Sequence, residues 1–355
     1  MKKYVYIGCR TTKRLNGTGK GIQVFEVNPF TDDWAHVQTL ETQQDPAFLT
    51  FDKSKNFLYC VHGDTELASA FSIDKKSGCI TYLNTVNLGG KNPVYSIPDK
   101  TNQFMLFACL DSGMICAVRR KADGRLGRVA YRMDLPGKDK GKPSSPHMIA
   151  YDNSERFLVV PAKGGRGLDC GATAGLNVLT FNPERGFEQV FALGGRNVDE
   201  CRHVAFHPNG EVAYLLNEKR SIVISLYMDR ETGVITPFQV SQTLPDDCVD
   251  LDPKLYTAGI GLTADGRYLY VTNRGHDSIA MFKINSENGR LAIQGWIPCG
   301  GRFPWAMEFA QNDSILYVAN AFSSTIVHFK IGENGILEAT NKTKEVASPS
   351  YMIFS

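Results

Sequence analysis

The sequence predicts an all-β chain of seven four-stranded units closed into a ring, a seven-bladed β-propeller, and three observations carry that prediction. A short apolar strand led by Pro, Gly or Arg recurs seven times at a spacing of about 50 residues. Each copy is followed or preceded by a second apolar strand and by an alternating strand–turn–strand segment. One copy of the set is divided between the two ends of the chain.

The first strand, A, is read at Pro46–Asp52, Pro93–Asp99, Pro146–Asp152, Arg202–Pro208, Gly259–Asp265, Pro304–Ala310 and Pro349–Ser355. The second, B, is read at Phe57–His62, Phe104–Cys109, Phe157–Pro161, Ala213–Asn217, Tyr268–Asn273 and Ile315–Asn320, with the seventh at Tyr4–Gly8. Strands C and D alternate apolar and polar residues about a turn carrying Asp, Asn or Gly: Ile22–Trp34, Ala70–Ile80, Ile115–Leu126, Leu176–Phe187, Val223–Ile235, Ile279–Leu291 and Ile326–Leu337. Four-stranded units in radial array bury their faces on one another and leave no long free edge. Strand A at Pro349–Ser355 must join B, C and D at Tyr4–Trp34, so the chain ends close the ring of one domain, 1–355. An open β-sandwich would not need seven in-phase copies or a divided unit. No helix-period stretch and no WD40 or kelch signature is present.

Composition narrows the function. The chain has 39 Lys and Arg against 37 Asp and Glu, without a block of like charge, so neither nucleic acid nor an anionic membrane is an expected partner. Nine cysteines stand singly with no CxxC pair, which argues against a disulfide framework or zinc ribbon and for a reduced, cytoplasmic setting. Lys2 and Lys3 precede an apolar run that ends at Gly8-Cys9-Arg10, too short for a signal-peptide core, and no stretch is long enough to span a membrane. A monomer is expected.

In a propeller the D-to-A and B-to-C connections open on one face around the channel. Reading those positions off the repeats collects His62, Asp64, Asp111, His147, Lys163, Arg166, Arg202, His203, Asn217, Glu218, Asn273, Arg274, His276, Arg302 and Asn320. The A-to-B turns on the opposite face, such as Asp52-Lys-Ser-Lys and Asp152-Asn-Ser-Glu, read as hydrogen-bonded turns. Arg202, Arg274 and Arg302 converging on one mouth repel one another unless an anion or Glu218 compensates, whereas His147 and His203 could equally be satisfied core residues. Neither a G-x-S-x-G nucleophile elbow nor an HExxH metal motif occurs, and Gly164–Gly175 lacks the GK[ST] ending of a phosphate loop, so no cofactor or metal is expected.

Tyr4–Gly8, Arg202–Gly210 with Asn217-Glu218, Ala264–Arg274, and Gly300–Pro304 with Leu316–Asn320 together resemble the seven-bladed propeller lactonases. That family includes the bacterial propeller-type 6-phosphogluconolactonases and the fungal carboxy-cis,cis-muconate cyclases. The resemblance covers nearly the whole chain and implies a catalytic set of His147, Arg202, Glu218 and Arg274. Trp305 and Ala321 stand where Arg and Gln are common in that family. The resulting expectation is a metal-independent hydrolase of a sugar-derived, phosphorylated or carboxylated lactone, with Glu218 or His147 as the base. Arg202 and Arg274 would bind the oxyanion or substrate anion, and His203, Lys163, Asn217, Asn273, Arg302, Asn320 and His62 would be substrate contacts. A muconate-type cycloisomerase and a non-catalytic binding propeller are the alternatives.

Overall fold

Each repeat folds as a four-stranded antiparallel sheet with its strands in chain order, A to D, and the seven sheets form the predicted ring. The computed structural model describes residues 3–13, 16–28, 30–135, 137, 143–164, 175–194, 198, 200–248 and 255–355. Strand A is Pro349–Phe354 in blade 1, then Pro46–Phe51, Pro93–Pro98, Ala150–Tyr151, Cys201–Phe206, Tyr256–Leu262 and Pro304–Ala310 in blades 2 to 7. Strand B is Lys3–Cys9, Phe57–His62, Phe104–Cys109, Leu158–Pro161, Val212–Asn217, Tyr268–Arg274 and Ile315–Asn320. Blade 1 is completed by Ile22–Val27 and Trp34–Leu40, so the two chain ends share one sheet, with Tyr6 opposite Ile353.

Two strands A differ from the sequence reading. In blade 4 only Ala150 and Tyr151 pair as a strand, and Pro146 joins Ala162 through an isolated bridge. Proline has no N–H to give to the ladder, and the next amide, from His147, bonds the Pro161 carbonyl at 2.9 Å instead. In blade 6 the strand starts at Tyr256 and stops at Leu262, because Thr263 turns the chain: its N–H reaches the Tyr268 carbonyl at 3.0 Å.

Apolar side chains from facing blades form seven layers, one between each pair of neighbours, including blades 7 and 1, where Val5 and Ile7 pack with Tyr317 and Ala319. Buried tyrosines of strand B lock those layers. Tyr6, Tyr59, Tyr214 and Tyr270 each donate to a glycine carbonyl in the C-to-D turn of the next blade: Gly78 at 3.0 Å and Gly124, Gly289 and Gly335 at 2.8 Å. The turn needs glycine for two reasons, seen at Gly335: its φ is +78°, and a Cβ there would lie 2.1 Å from Cδ1 of Tyr268. On the far face Asp52, Asp99 and Asp152 each accept amide bonds from the ends of their A-to-B turns, such as 2.9 Å from Phe57 to Asp52. No helix among the described residues is long and apolar enough to cross a membrane.

One irregularity positions the site. Near its start strand A carries one more residue than its B partner, and the pairing slips at Ser350, Ala47, Val94, Arg202, Ala258 and Trp305 in the six blades with a continuous A–B ladder. In blade 4 His147 takes this place, beside the Pro146 bridge. A bulge re-aims the side chain of its extra residue. Here three of the seven bulged residues are His147, Arg202 and Trp305, and all three line the central cavity.

Candidate active site

The B strands supply a second equivalent position. Cys9, His62, Cys109, Ala162, Asn217, Asn273 and Asn320 pair with the first residue of strand A or its equivalent, so the residues that follow them correspond. Those residues are Arg10, Gly63, Leu110, Lys163, Glu218, Arg274 and Ala321, and four of the seven are charged. Glu218 is the centre of the cluster. Arg274 Nη2 donates to its Oε1 at 2.6 Å, Arg202 Nη1 to its Oε2 at 3.2 Å, and Lys163 Nζ contacts the same Oε2.

Both guanidiniums are anchored to strand A of blade 6: Arg202 Nε donates to the Ala258 carbonyl at 2.9 Å and Arg274 Nη2 to that of Thr257 at 2.7 Å. Arg274 also lies over the rings of Trp305, Phe303 and Tyr256 at 5.1, 5.2 and 5.7 Å, a cation–π cage that fixes its plane. Arg202 Nη1 is 2.8 Å from His147 Nε2. Guanidinium only donates, so Nε2 accepts and the imidazole carries its proton on Nδ1. That Nδ1, and Nε of Arg274, are buried with no partner among the described residues.

The charges tune one another. Burial works to raise the Glu218 carboxyl, but Lys163, Arg202 and Arg274 outweigh it and hold the group well below the ordinary carboxylate range. Burial, with Arg202 and Lys163 beside it, pushes His147 well below its usual value, and His203 moves the same way for the same reasons. Burial lowers Lys163 to about 8 even with Glu218 opposing, and lowers Arg202 to about 10. Near neutrality the cluster is therefore one carboxylate facing two guanidiniums and one predominantly charged ammonium, with two neutral imidazoles. Its net charge is positive, and it can receive an anion.

The structure thus brings together His147, Lys163, Arg202, Glu218 and Arg274. His203 is near, its ring 5.2 Å from that of His147, and both rings border a central cavity of about 190 Å³. The remaining predicted contacts lie elsewhere. Asn217, Asn273, Asn320 and His62 are buried at the ends of strands B and hold backbone. Asn217 Oδ1 accepts from the Arg220 amide at 2.9 Å, Asn273 Nδ2 donates to the Thr243 carbonyl at 2.8 Å, and Asn320 Nδ2 to that of Cys299 at 3.1 Å. His62, held down to about 4 by burial, bonds the Gln44 carbonyl and Ser69. These bonds hold the turns that present the next residue, while Oδ1 of Asn273 and of Asn320 is buried with no partner among the described residues. Arg302 is exposed and is not a partner of Glu218. Arg166 and the glycine-rich stretch 165–174 fall outside the described residues.

Sequence reasoning missed Arg10, which borders the cavity with its guanidinium 4.6 Å over Trp305, on a ring that Arg274 also touches. The signal was available: strand B of blade 1 runs through Cys9, which makes Arg10 the equivalent of Glu218 and Arg274. Tyr95, Glu308 and Tyr351, all on strands A, also border the cavity. Among the described residues no group of three or more His, Cys, Asp or Glu is arranged to hold a metal ion.

Fold and site define a seven-bladed propeller with a cation-rich channel mouth built from several blades. The chain belongs to the family described as "Lactonase, 7-bladed beta-propeller", whose pattern matches residues 4–354. It is 30% identical over 360 residues to a 6-phosphogluconolactonase of Bacillus subtilis (strain 168), covering 98% of this chain and 97% of that one. A candidate 6-phosphogluconolactonase from Bacteroides uniformis, solved as a crystal structure, superposes with a TM-score of 0.85 at 26% identity, over 100% of this chain and 99% of the other. The periplasmic gluconolactonase of Pseudomonas aeruginosa superposes with a TM-score of 0.88 at 21% identity, over 100% and 99%, a likeness of fold.

Proposed function

We propose that the protein hydrolyses a sugar-derived lactone carrying an anionic group, with no metal ion in the reaction. The observation that carries this reading is the Glu218 cluster, in which a neutral His147 adjoins Arg202 and Glu218 holds both Arg202 and Arg274, in a member of a lactonase family. The relative from Bacillus subtilis supports the sugar-lactone substrate.

Lactone hydrolysis needs a base for water, donors for the developing oxyanion and a proton for the departing ring oxygen. Glu218 already answers three cations and is weakly basic, so its role is to hold Arg202, Arg274 and Lys163 in place. His147 is the better base. Water displacing the Arg202 bond gives up a proton to Nε2 as its oxygen attacks the carbonyl carbon. The carbonyl oxygen becomes an oxyanion facing Arg202 and Arg274. As the C–O ring bond breaks, the imidazolium returns the proton to the leaving oxygen, and the product is the open hydroxy acid.

The test is proton release at controlled pH from aldonolactones with and without a phosphate, compared with the spontaneous rate and repeated after exhaustive chelation. Turnover that survives chelation supports the reading. Isomerisation of a cis,cis-muconate with no lactone hydrolysis would replace it with a cycloisomerase, and restoration by a divalent ion would replace the mechanism.

A further inference from the structure

The inner wall of the cavity holds polar groups that the cluster at the mouth does not use. The bulge interrupts the alternation of strand A, so the residue after each bulged one borders the cavity as well, and Phe48, Tyr95, Met148, His203, Gly259, Ala306 and Tyr351 form the next tier. Phe48 lies between two tyrosines, its ring centroid 3.9 Å from that of Tyr95 and 4.1 Å from that of Tyr351, with the planes tilted by 30° and 37°. On blade 6 the cavity is bordered by Gly259 and Gly261, and a Cβ at Gly261 would lie 2.7 Å from the ring of Phe309. One step deeper Glu308 is a carboxyl on an innermost strand, bordering the same cavity as His147 and Arg202.

The tyrosines between blades differ: Tyr6, Tyr59, Tyr214 and Tyr270 each donate to a backbone carbonyl of the next blade. The hydroxyls of Tyr95 and Tyr351 and the carboxyl of Glu308 have no hydrogen-bond partner among the described residues, and all three border the cavity. All three residues are half-buried and open to the cavity, so a hydroxylated ligand entering it can reach them without displacing a protein partner.

We propose that Tyr95, Tyr351 and Glu308 form an inner subsite that binds the hydroxyl groups of the uncharged, polyol part of the substrate, while the substrate's anion sits against the cations at the mouth. The substrate class rests on the lactonase reading above. Charge supports the polarity of the arrangement. Burial, with Asp313 adding to it, raises Glu308 to about 8, so its carboxyl is mostly protonated at neutral pH. A neutral carboxyl both donates and accepts, and so suits a hydroxyl. Burial also raises both phenols, which therefore stay protonated donors. The rings of Phe48, Tyr95 and Tyr351 line the cavity and supply apolar surface against which the C–H side of a sugar ring can pack.

The experiment uses the full chain as wild type, Tyr95→Phe, Tyr351→Phe and Glu308→Gln, with melting curves to verify folding. Turnover is measured on D-glucono-1,5-lactone and on δ-valerolactone, which has the same ring without hydroxyls. Binding of gluconate and 5-hydroxypentanoate is measured by calorimetry. Each variant should raise KM for gluconolactone and Kd for gluconate by roughly 3- to 10-fold, the loss of about one hydrogen bond, and leave unchanged both constants for δ-valerolactone and 5-hydroxypentanoate, which lack the hydroxyls at C2, C3 and C4. Equal effects on both pairs, no effect on either, or no gluconate binding by the wild type would overturn the subsite. Selective loss of gluconate binding in a protein that turns over neither lactone would support the subsite and overturn the lactonase reading. Turnover by wild type and variants alike would do the reverse.

Discussion

His147 and Arg202 occupy the same bulged position in neighbouring blades, and the re-aimed side chains meet with Nη1 of the arginine 2.8 Å from Nε2 of the imidazole. One backbone device, repeated, thus brings an imidazole and a guanidinium together from separate sheets, the pair to which the proposed reaction gives the roles of base and oxyanion donor. His147→Gln should keep the fold and lower kcat on the best lactone by about 10²–10⁴. Because burial and the adjacent cations push His147 well below its usual value, the unprotonated base persists on acidification. The acid limb of kcat should therefore lie well below pH 6.5. A limb centred at 6.5 would assign the base to another group.

Glu218 gives a stability prediction. Removing one partner of a buried ion cluster leaves the others uncompensated, at a cost of roughly 3–5 kcal/mol. Glu218→Gln should show such a loss in denaturant melts at pH 7, eased by added salt. The folded-state carboxyl lies below its unfolded value, so its contribution is present above the unfolded pKa of about 4.3 and is lost as pH falls through the folded one. The difference between wild type and variant should then shrink only in strong acid.

Glu308 has the opposite sign. Its folded value is raised to about 8, so its contribution is complete below the unfolded value and disappears as pH rises through 8. The groups acting on it are Asp313, Tyr95 and Tyr351. Melting temperatures of wild type should fall more steeply between pH 6 and 9 than those of Glu308→Gln. Parallel curves would mean that the carboxyl is solvated and ionised throughout.

The fold was legible because its signal repeats: each apolar strand is ambiguous alone, but seven in phase with a divided unit admit one closed arrangement. The site was legible in part. Glu218 and Arg274 follow strands whose ends were read at Asn217 and Asn273, while Arg10 was lost because strand B of blade 1 was ended at Gly8, one residue before Cys9. Asn217, Asn273, Asn320 and His62 were placed on the right edge, but sequence does not say which way a terminal side chain turns. Asn273, Asn320 and His62 turn to backbone carbonyls, and Asn217 to the Arg220 amide. Bulges leave no mark in a sequence, so the convergence of His147 with Arg202 required the register.

The tyrosine latches predict where the ring is weakest to substitution. Tyr59 is fully buried and donates to Gly124 at 2.8 Å. Tyr59→Phe keeps the ring and strands a carbonyl, at a cost of about 1–3 kcal/mol, read as a lower denaturation midpoint with unchanged slope. Tyr227 is an exposed control, with its hydroxyl 3.4 Å from the Asn288 carbonyl, and Tyr227→Phe should lie within about 0.5 kcal/mol of wild type.

Arg274 is held by three kinds of contact at once: the Glu218 carboxylate, the Thr257 carbonyl and the cage of Tyr256, Phe303 and Trp305. An ammonium could keep the charge but could neither fill the cage as a plane nor bond carboxylate and carbonyl together while presenting a further N–H. Arg274 Nε is that further group, buried and unpartnered among the described residues. If it meets the developing oxyanion, Arg274→Ala should lower kcat by about 10²–10³, and Arg274→Lys should recover only a small part. A rise in KM with kcat intact would instead assign it to the substrate's anionic group in the ground state. Trp305→Leu separates the cage from the charge, since it leaves Glu218 and Thr257 in place and frees the guanidinium to tilt. A drop in kcat at near-constant KM would show that the plane of Arg274, and not its charge alone, is what the bulge at Trp305 fixes; full activity in all three variants would place the reaction away from this arginine.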